Sequence, residues 1–335
     1  MKPHTLCLAI ASTLVLSACG GGGGGSDAAA PTPVQTSSLT PITATGSGKA
    51  AASGYTANTL IGNSSSSVTG ALTGVSLGGT GISAVSPVLK LVKRPFGQGV
   101  QLLTGVTLSQ ACSGGGSVTI DANLHNAQAV SNGDTMTLTA QNCVEDGNNL
   151  NGRLTIAFSA VSGDIMNSSS GAATMDTSFT NFSIASGSQA ATINGDMRLA
   201  LTLTSATSAA VAISGRSLQA SEQKAGVNVA NMTLSDYLLT VTANGSTTNS
   251  AGNFTLSGNA NNLGQFAYTV KSLQPFVRVG TAMPVSGSLI VNGAASSVTV
   301  TALNTSSVRL DYSAKGDGTI TQSTTLSWSE FIASL

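Results

Sequence analysis

His125 is the one histidine in this chain beyond the N-terminal export segment, since His4 is the only other, so any Ser/His/Asp chemistry would have to run through it. Its setting, Leu124-His125-Asn126, carries no nucleophile signature, and a solvent-facing strand or loop position is expected for it. Paired carboxylates are the other route to acid-base work. Glu145 and Asp146 are adjacent and would point opposite ways in an extended chain. Asp134, Asp164 and Asp196 each follow a glycine, as turn residues do. No catalytic constellation emerges, so the chain is expected not to be an enzyme.

Cysteines offer a different chemistry. The chain has four, and no two stand in a C-x-x-C spacing. Cys7 lies in a segment that reads as an export signal: Lys2 and His4 give a weakly positive start, residues 6–16 are apolar, and small residues follow at Ser17 and Ala18. That apolar run is too short to span a bilayer, which takes roughly 20 residues. Leu16-Ser17-Ala18-Cys19 resembles the lipobox of bacterial lipoproteins, in which the cysteine is acylated and becomes the new N-terminus. The resemblance implies cleavage after residue 18, a lipid (palmitate-type) anchor on Cys19 and membrane attachment through acyl chains. Each buried methylene contributes about 0.8 kcal/mol, so two or three chains hold a soluble domain durably. Gly20 rather than Asp follows the cysteine, which for such lipoproteins implies the outer membrane, facing the periplasm or the cell surface.

Cys112 and Cys143 remain for the folded part. In an oxidising compartment one even pair is expected to be a disulfide, and closing its loop should stabilise by roughly 3–4 kcal/mol. A redox or metal-binding pair is disfavoured by the spacing and by the shortage of histidine. No metal and no cofactor are expected. With 13 basic and 13 acidic groups, and 12 against 13 once Lys2 leaves with the signal, the chain lacks the basic stripe that nucleic acid demands.

The elements that must position these residues follow period two. Residues 117–124, 135–140, 153–160, 197–205, 253–260 and 297–303 alternate apolar side chains with Thr, Ser or Ala, so each can turn one side to a core. Asn-Gly, the pair that best supports a tight hairpin, occurs at Asn132, Asn151, Asn194, Asn244 and Asn292. The last four stand 43, 50 and 48 residues apart, which a repeat of about four strands or chance could equally produce. No amphipathic helix stands out. The expected fold is all-β, an antiparallel meander of hairpins, with sandwich, barrel and half-open trough left undecided.

The expected organisation is a signal peptide over 1–18, a lipidated cysteine and flexible Gly/Ser/Thr/Pro-rich tether over 19–56, an irregular part over 57–98 and the β domain over 99–335. The tether begins with six glycines, and about 30 flexible residues reach on the order of 30 Å. Within it, Gly46-Ser47-Gly48-Lys49-Ala50 lacks the earlier glycine and the metal-binding hydroxyl of a phosphate loop. Lys90, Lys93 and Arg94, between Pro87 and Pro95, read as solvated charges guarding an edge rather than as a lipid-binding patch.

Two stretches, 112–158 and 275–331, are similar to segments of uncharacterised proteobacterial outer-membrane lipoproteins, with a Cys-Gly-rich strand, a Gly-Asp-Thr hairpin, a second Cys before a Leu-Asn-Gly strand, and a terminal Trp. The resemblance implies a secreted β domain with one disulfide and no particular activity. Relatives carry an Asp-rich turn where this chain has Asp311 to Gly318 with Lys315 inside it, so a plain turn on Asp317 and Gly318 is expected rather than calcium. Trp328 is expected to anchor the core. Two functional readings follow: an envelope lipoprotein with a structural or protein-interaction role, or a periplasmic carrier of a lipid or other apolar ligand in a β trough. A carrier should leave part of its inward face unfilled, whereas an interaction module should pack it dry.

Overall fold

The computed structural model describes residues 38–59, 106–126, 129–163, 165, 170–261 and 263–335. The expected lipidation site Cys19, the basic segment at 90–94 and Asp164 lie outside them.

After helix α1 (Ser47–Asn58), the described chain runs through β1 (Val106–Ala111), β2 (Ser117–Asn123), β3 (Thr135–Glu145) and β4 (Asn148–Ser162). Six long strands follow: β5 (Gly171–Ser186), β6 (Gln189–Ser205), β7 (Ser208–Lys224), β8 (Val227–Asn244), β9 (Thr247–Ala260) and β10 (Gly264–Val279). Shorter ones complete the set, β11 (Ser286–Gly293), β12 (Ser296–Ala302), β13 (Ser307–Ser313) and β14 (Gln322–Ser327), before the short helix α2 (Trp328–Ala333). All fourteen strands form one antiparallel sheet in sequence order, each hydrogen-bonded to the next. The sheet is neither closed into a barrel nor split into a sandwich, which leaves the open trough of the three candidates. Each of the six alternating segments falls in a strand (β2, β3, β4, β6, β9 and β12), with Leu124 and Leu303 just beyond the ends. Alternation works as expected. On β6, Ile193, Leu199, Leu201 and Leu203 are buried, while Arg198, Thr202 and Thr204 face water.

The Asn-Gly pairs serve two purposes, only one of which was expected. Asn132-Gly133 sits in the turn before β3, and Asn244-Gly245 opens the β8–β9 hairpin. Asn292-Gly293 closes β11 and precedes the turn. Asn151 and Asn194, by contrast, are inside β4 and β6, at bulges. There Asn151 Oδ1 accepts the backbone N–H of Asn142 at 2.7 Å, and Asn194 Oδ1 accepts that of Asn181 at the same distance. Asn142 and Asn181 hold positive φ (48° and 46°), and the glycines opposite, Gly152 and Gly195, hold φ of 98° and 113°. A Cβ on Gly195 would lie 2.3 Å from the Ser217 carbonyl, so only glycine fits. Further register shifts between Gly195/Arg198 and between Ser235/Leu238 carry the irregularity across the sheet. Such bulges bend strands and increase twist, which is how a long meander curls over its own apolar face. Asp196, expected in a turn, therefore lies mid-strand beside a bulge, where its carbonyl accepts the Tyr237 hydroxyl at 2.8 Å.

Residues 38–56 correct the expected tether. Thr40 exchanges two hydrogen bonds with the Ala267 backbone, Ile42 N donates to Ser296 Oγ at 2.7 Å, and Tyr312 donates to the Ile42 carbonyl at 2.9 Å. The helix α1 follows, packed on β9 to β13 and against α2. Ala50, Ala51, Ala52, Ser53, Gly54, Tyr55 and Ala57 are all buried. A helix enclosed on several sides needs no apolar stripe, and small side chains let it approach closely; a run of Ala, Ser and Gly therefore looked like linker.

Gly54 marks the tightest approach, since a Cβ there would stand 2.6 Å from Val291 Cγ2 and 3.3 Å from Val270 Cγ2. Gly54→Val is accordingly expected to destabilise the protein by about 1–3 kcal/mol in urea unfolding. Gly48, whose Cβ would meet nothing within 4 Å, serves as the control. Gly48→Ala should leave stability unchanged or raise it by up to about 1 kcal/mol.

Candidate ligand cavity

On β7 the alternation places Leu218, Ala220, Glu222 and Lys224 on one side, running toward the end of the sheet near the β7–β8 turn. Beside them stand Met232 and Leu234 of β8, Leu256 and Ala260 of β9, and Phe266 of β10. Across from these strands lie Ser53, Thr56 and Ala57 of α1, with Ile332 of α2 and the following Leu335. Between them is a cavity of about 510 Å³. It exists because the residues meeting there are small: Ala57, Ala220, Ala230 and Ala260 stand where Phe or Leu would have met in the middle. The volume falls within the roughly 300–1,000 Å³ of small-molecule sites, and most of the wall is apolar.

Glu222 is the exception in that wall. Its side chain is 4% exposed, and its Oε1 has no hydrogen-bond partner. Its register neighbours are Ala191 on β6 and Ala230 on β8, neither of which can bond a carboxylate through its side chain. No described cation stands within ion-pair distance. Burial pushes its carboxyl up to about 7, because the charged form loses hydration that nothing replaces.

This has a measurable consequence for stability. The folded state holds the Glu222 proton more tightly than the unfolded chain, whose carboxyl titrates near 4.3. Above about pH 7 the group is ionised in both states, and the folded state bears the full cost. As pH falls through 7 toward the unfolded value, that cost disappears. Glu222→Gln should therefore stabilise by on the order of 2 kcal/mol at pH 8 and by much less at pH 5, in urea melts at the two values.

No protein-family model, curated protein or solved structure matches the chain. The residues singled out in sequence do not assemble into a catalytic centre among the described residues. His125 is exposed, as expected, but it is also held: Nδ1 lies 2.6 Å from Asp134 Oδ1, which also accepts the His125 backbone N–H. Asp134 is fully buried, and its other oxygen accepts the Ser131 N–H at 2.7 Å, so it organises the turn before β3. No described hydroxyl or thiol bonds the histidine's Nε2. Gly74-Val75-Ser76-Leu77-Gly78 has the spacing of a hydrolase nucleophile turn, a match that sequence reasoning missed; it lies outside the described residues.

Glu145 ends β3 and Asp146 follows it with a φ of 50°, so the extended geometry expected for the pair does not hold there. Asp146 occupies the β3–β4 turn, while Glu145 is buried and accepts both the backbone N–H and the hydroxyl of Ser113. Cys112 and Cys143 form the disulfide. Although Glu145 stands beside both sulfurs, their bond to each other removes them as metal ligands. At the Asp-rich turn, Asp317 Oδ1 accepts the Thr319 N–H at 2.9 Å, which holds its carboxyl below the ordinary range. That contact, like the one from Ser313 Oγ to the same oxygen at 3.5 Å, is local to the bend.

Sequence reasoning also missed Glu222. The signal was available: extending period two from Leu218 puts residue 222 on the core face of a strand, where an ionisable side chain is out of place.

Proposed function

We propose that this protein is a lipid-anchored lipoprotein of the bacterial outer membrane whose β trough carries an apolar ligand. The observation that carries the reading is the 510 Å³ cavity, bounded by Leu218, Met232, Leu234, Leu256 and Phe266, in an inward face otherwise densely packed. Apolar walls of that size favour molecules whose removal from water supplies the affinity. The acyl anchor implied at Cys19 and the glycines after it would hold the trough near, but clear of, a lipid surface. A carrier of this kind needs no catalytic group.

The structural or interaction role draws on the opposite side of the sheet. A hollow of about 870 Å³ there is lined by Thr192, Asn194, Gln219, Ser221, Asn231 and Ser257, uncharged hydroxyls and amides suited to polar contacts with another envelope protein. It is the second reading, because such a face requires no cavity behind it.

Intact-mass measurement and solvent extraction of the protein purified from its native envelope, beside a Cys19→Ser variant, test both parts. Acyl mass on the wild type alone, with a further lipid-like molecule extracted from both, is the expected result. No acyl mass on the wild type would overturn the anchor. Extracts free of any bound molecule would favour the interaction role.

A further inference from the structure

We infer that the cavity selects ligands bearing a cationic amine, with Glu222 as the group that receives it. The inference rests on the carrier reading and adds the chemistry of the ligand's polar end. A purely apolar ligand would be served best by a purely apolar wall, and period two on β7 would ordinarily supply one at residue 222. Instead the strand places a carboxyl there, nearly inaccessible to water, with one oxygen unpartnered and alanines as its register neighbours on both sides. An unsatisfied buried acceptor costs stability, so a ligand donor that reaches it gains a bond and removes that cost.

The missing partner is a donor, and a cationic one gains most from a buried carboxylate. Lys224, two residues along the same strand and exposed, is the one other titratable side chain among the described residues lining the cavity. The facing elements contribute Gln189 from β6, Ala230 from β8, Ala260 from β9 and Thr56 from α1, none of which titrates. An ammonium head seated against Glu222 would pair with a carboxylate in a water-poor setting, where such a bond is short and strong. An anionic head would meet a second negative charge at Glu222 and could pair only with the exposed, solvated Lys224. The body of the ligand would then lie along Leu218, Leu234 and Phe266.

Proton linkage follows from the same arrangement. Pairing with an ammonium requires the ionised carboxylate, so below about pH 7 the ligand must first displace the Glu222 proton. Affinity for an amine should fall about tenfold for each pH unit below that point. A carboxylic acid ligand should show the opposite trend.

The test uses the full-length chain carrying Cys19→Ser, isolated without detergent, and the uncharged fluorophore N-phenyl-1-naphthylamine as reporter of cavity occupancy. Dodecylamine and dodecanoate, matched in chain length, compete for it at pH 8 and pH 5.5. The expected result is displacement by dodecylamine at least about tenfold better than by dodecanoate at pH 8, with the preference shrinking at pH 5.5 and vanishing in Glu222→Gln. Fluorophore binding retained by Glu222→Gln shows that the variant is folded. If the fluorophore binds and the two competitors act equally, or if Glu222→Gln keeps the amine preference, the head-group inference fails while the carrier reading stands. If the fluorophore does not bind, or binds equally well when Ala230→Trp fills the cavity, both fail.

Discussion

Trp328→Ala is expected to destabilise the protein by about 3–5 kcal/mol. Trp328 opens α2 and is 2% exposed. Its Nε1 donates to the Asn304 carbonyl at 2.9 Å, and its ring lies 5.0 Å from that of Tyr55 and 5.8 Å from that of Phe331. Tyr55 in turn stands edge-on to Phe276 at 5.1 Å, so one aromatic cluster joins α1, α2 and β10. Burial of Tyr55 pushes its hydroxyl up to about 12, with Arg278 opposing, so it stays neutral and part of the core. Removing the indole leaves a void at the junction that holds both helices against the sheet. Trp328→Phe, which keeps most of the volume and loses the N–H bond, should cost about 1–2 kcal/mol. Because the chain has one tryptophan, the urea transitions must be followed by circular dichroism. A loss below about 1 kcal/mol for the alanine variant would mean that α1 and α2 do not depend on each other.

The Cys112→Ala/Cys143→Ala double variant is expected to lose about 3–4 kcal/mol, from the loop-closure entropy of a 31-residue separation. Its location gives the loss a signature. β1 is an edge strand, paired only to β2, and the loop between them is fastened to β3 by the disulfide, by Gly114 N–H donating to the Val144 carbonyl and by Ser113 on Glu145. Without the sulfur link, amide exchange should accelerate first in β1 and β2, while β5 to β9 keep their protection. Uniform acceleration across the sheet would show instead that β1 and β2 do not open separately from the rest of the sheet.

The fold class was legible because period-two alternation is a local signal, and strands such as β6 and β12 bury the residues that it assigns to the core. The bulges were half legible. Asn-Gly at 151 and 194 announces positive φ, but whether that φ makes a turn or a bulge depends on the partner strand, here on Asn142 and Asn181, 9 and 13 residues away. α1 was hidden because Ala, Ser and Gly signal a linker when read alone and a buried helix only once Val270 and Val291 are in place beneath them. α2 could have been read: Ser327 and Glu330 form a capping box, with the serine hydroxyl receiving the Glu330 N–H. The cavity lies furthest from the sequence, since it arises where alanines of α1, β7, β8 and β9 happen to meet. Only Glu222, on the wrong side of its strand for an ionisable group, pointed toward it.

Uptake of N-phenyl-1-naphthylamine by the detergent-free Cys19→Ser chain, measured beside its Ala230→Trp form, tests the carrier account most directly. The account expects one saturable site in the first protein and at least about a tenfold loss of affinity in the second, with both giving the same circular dichroism spectrum. No saturable binding in the first, or equal binding in both, would contradict it.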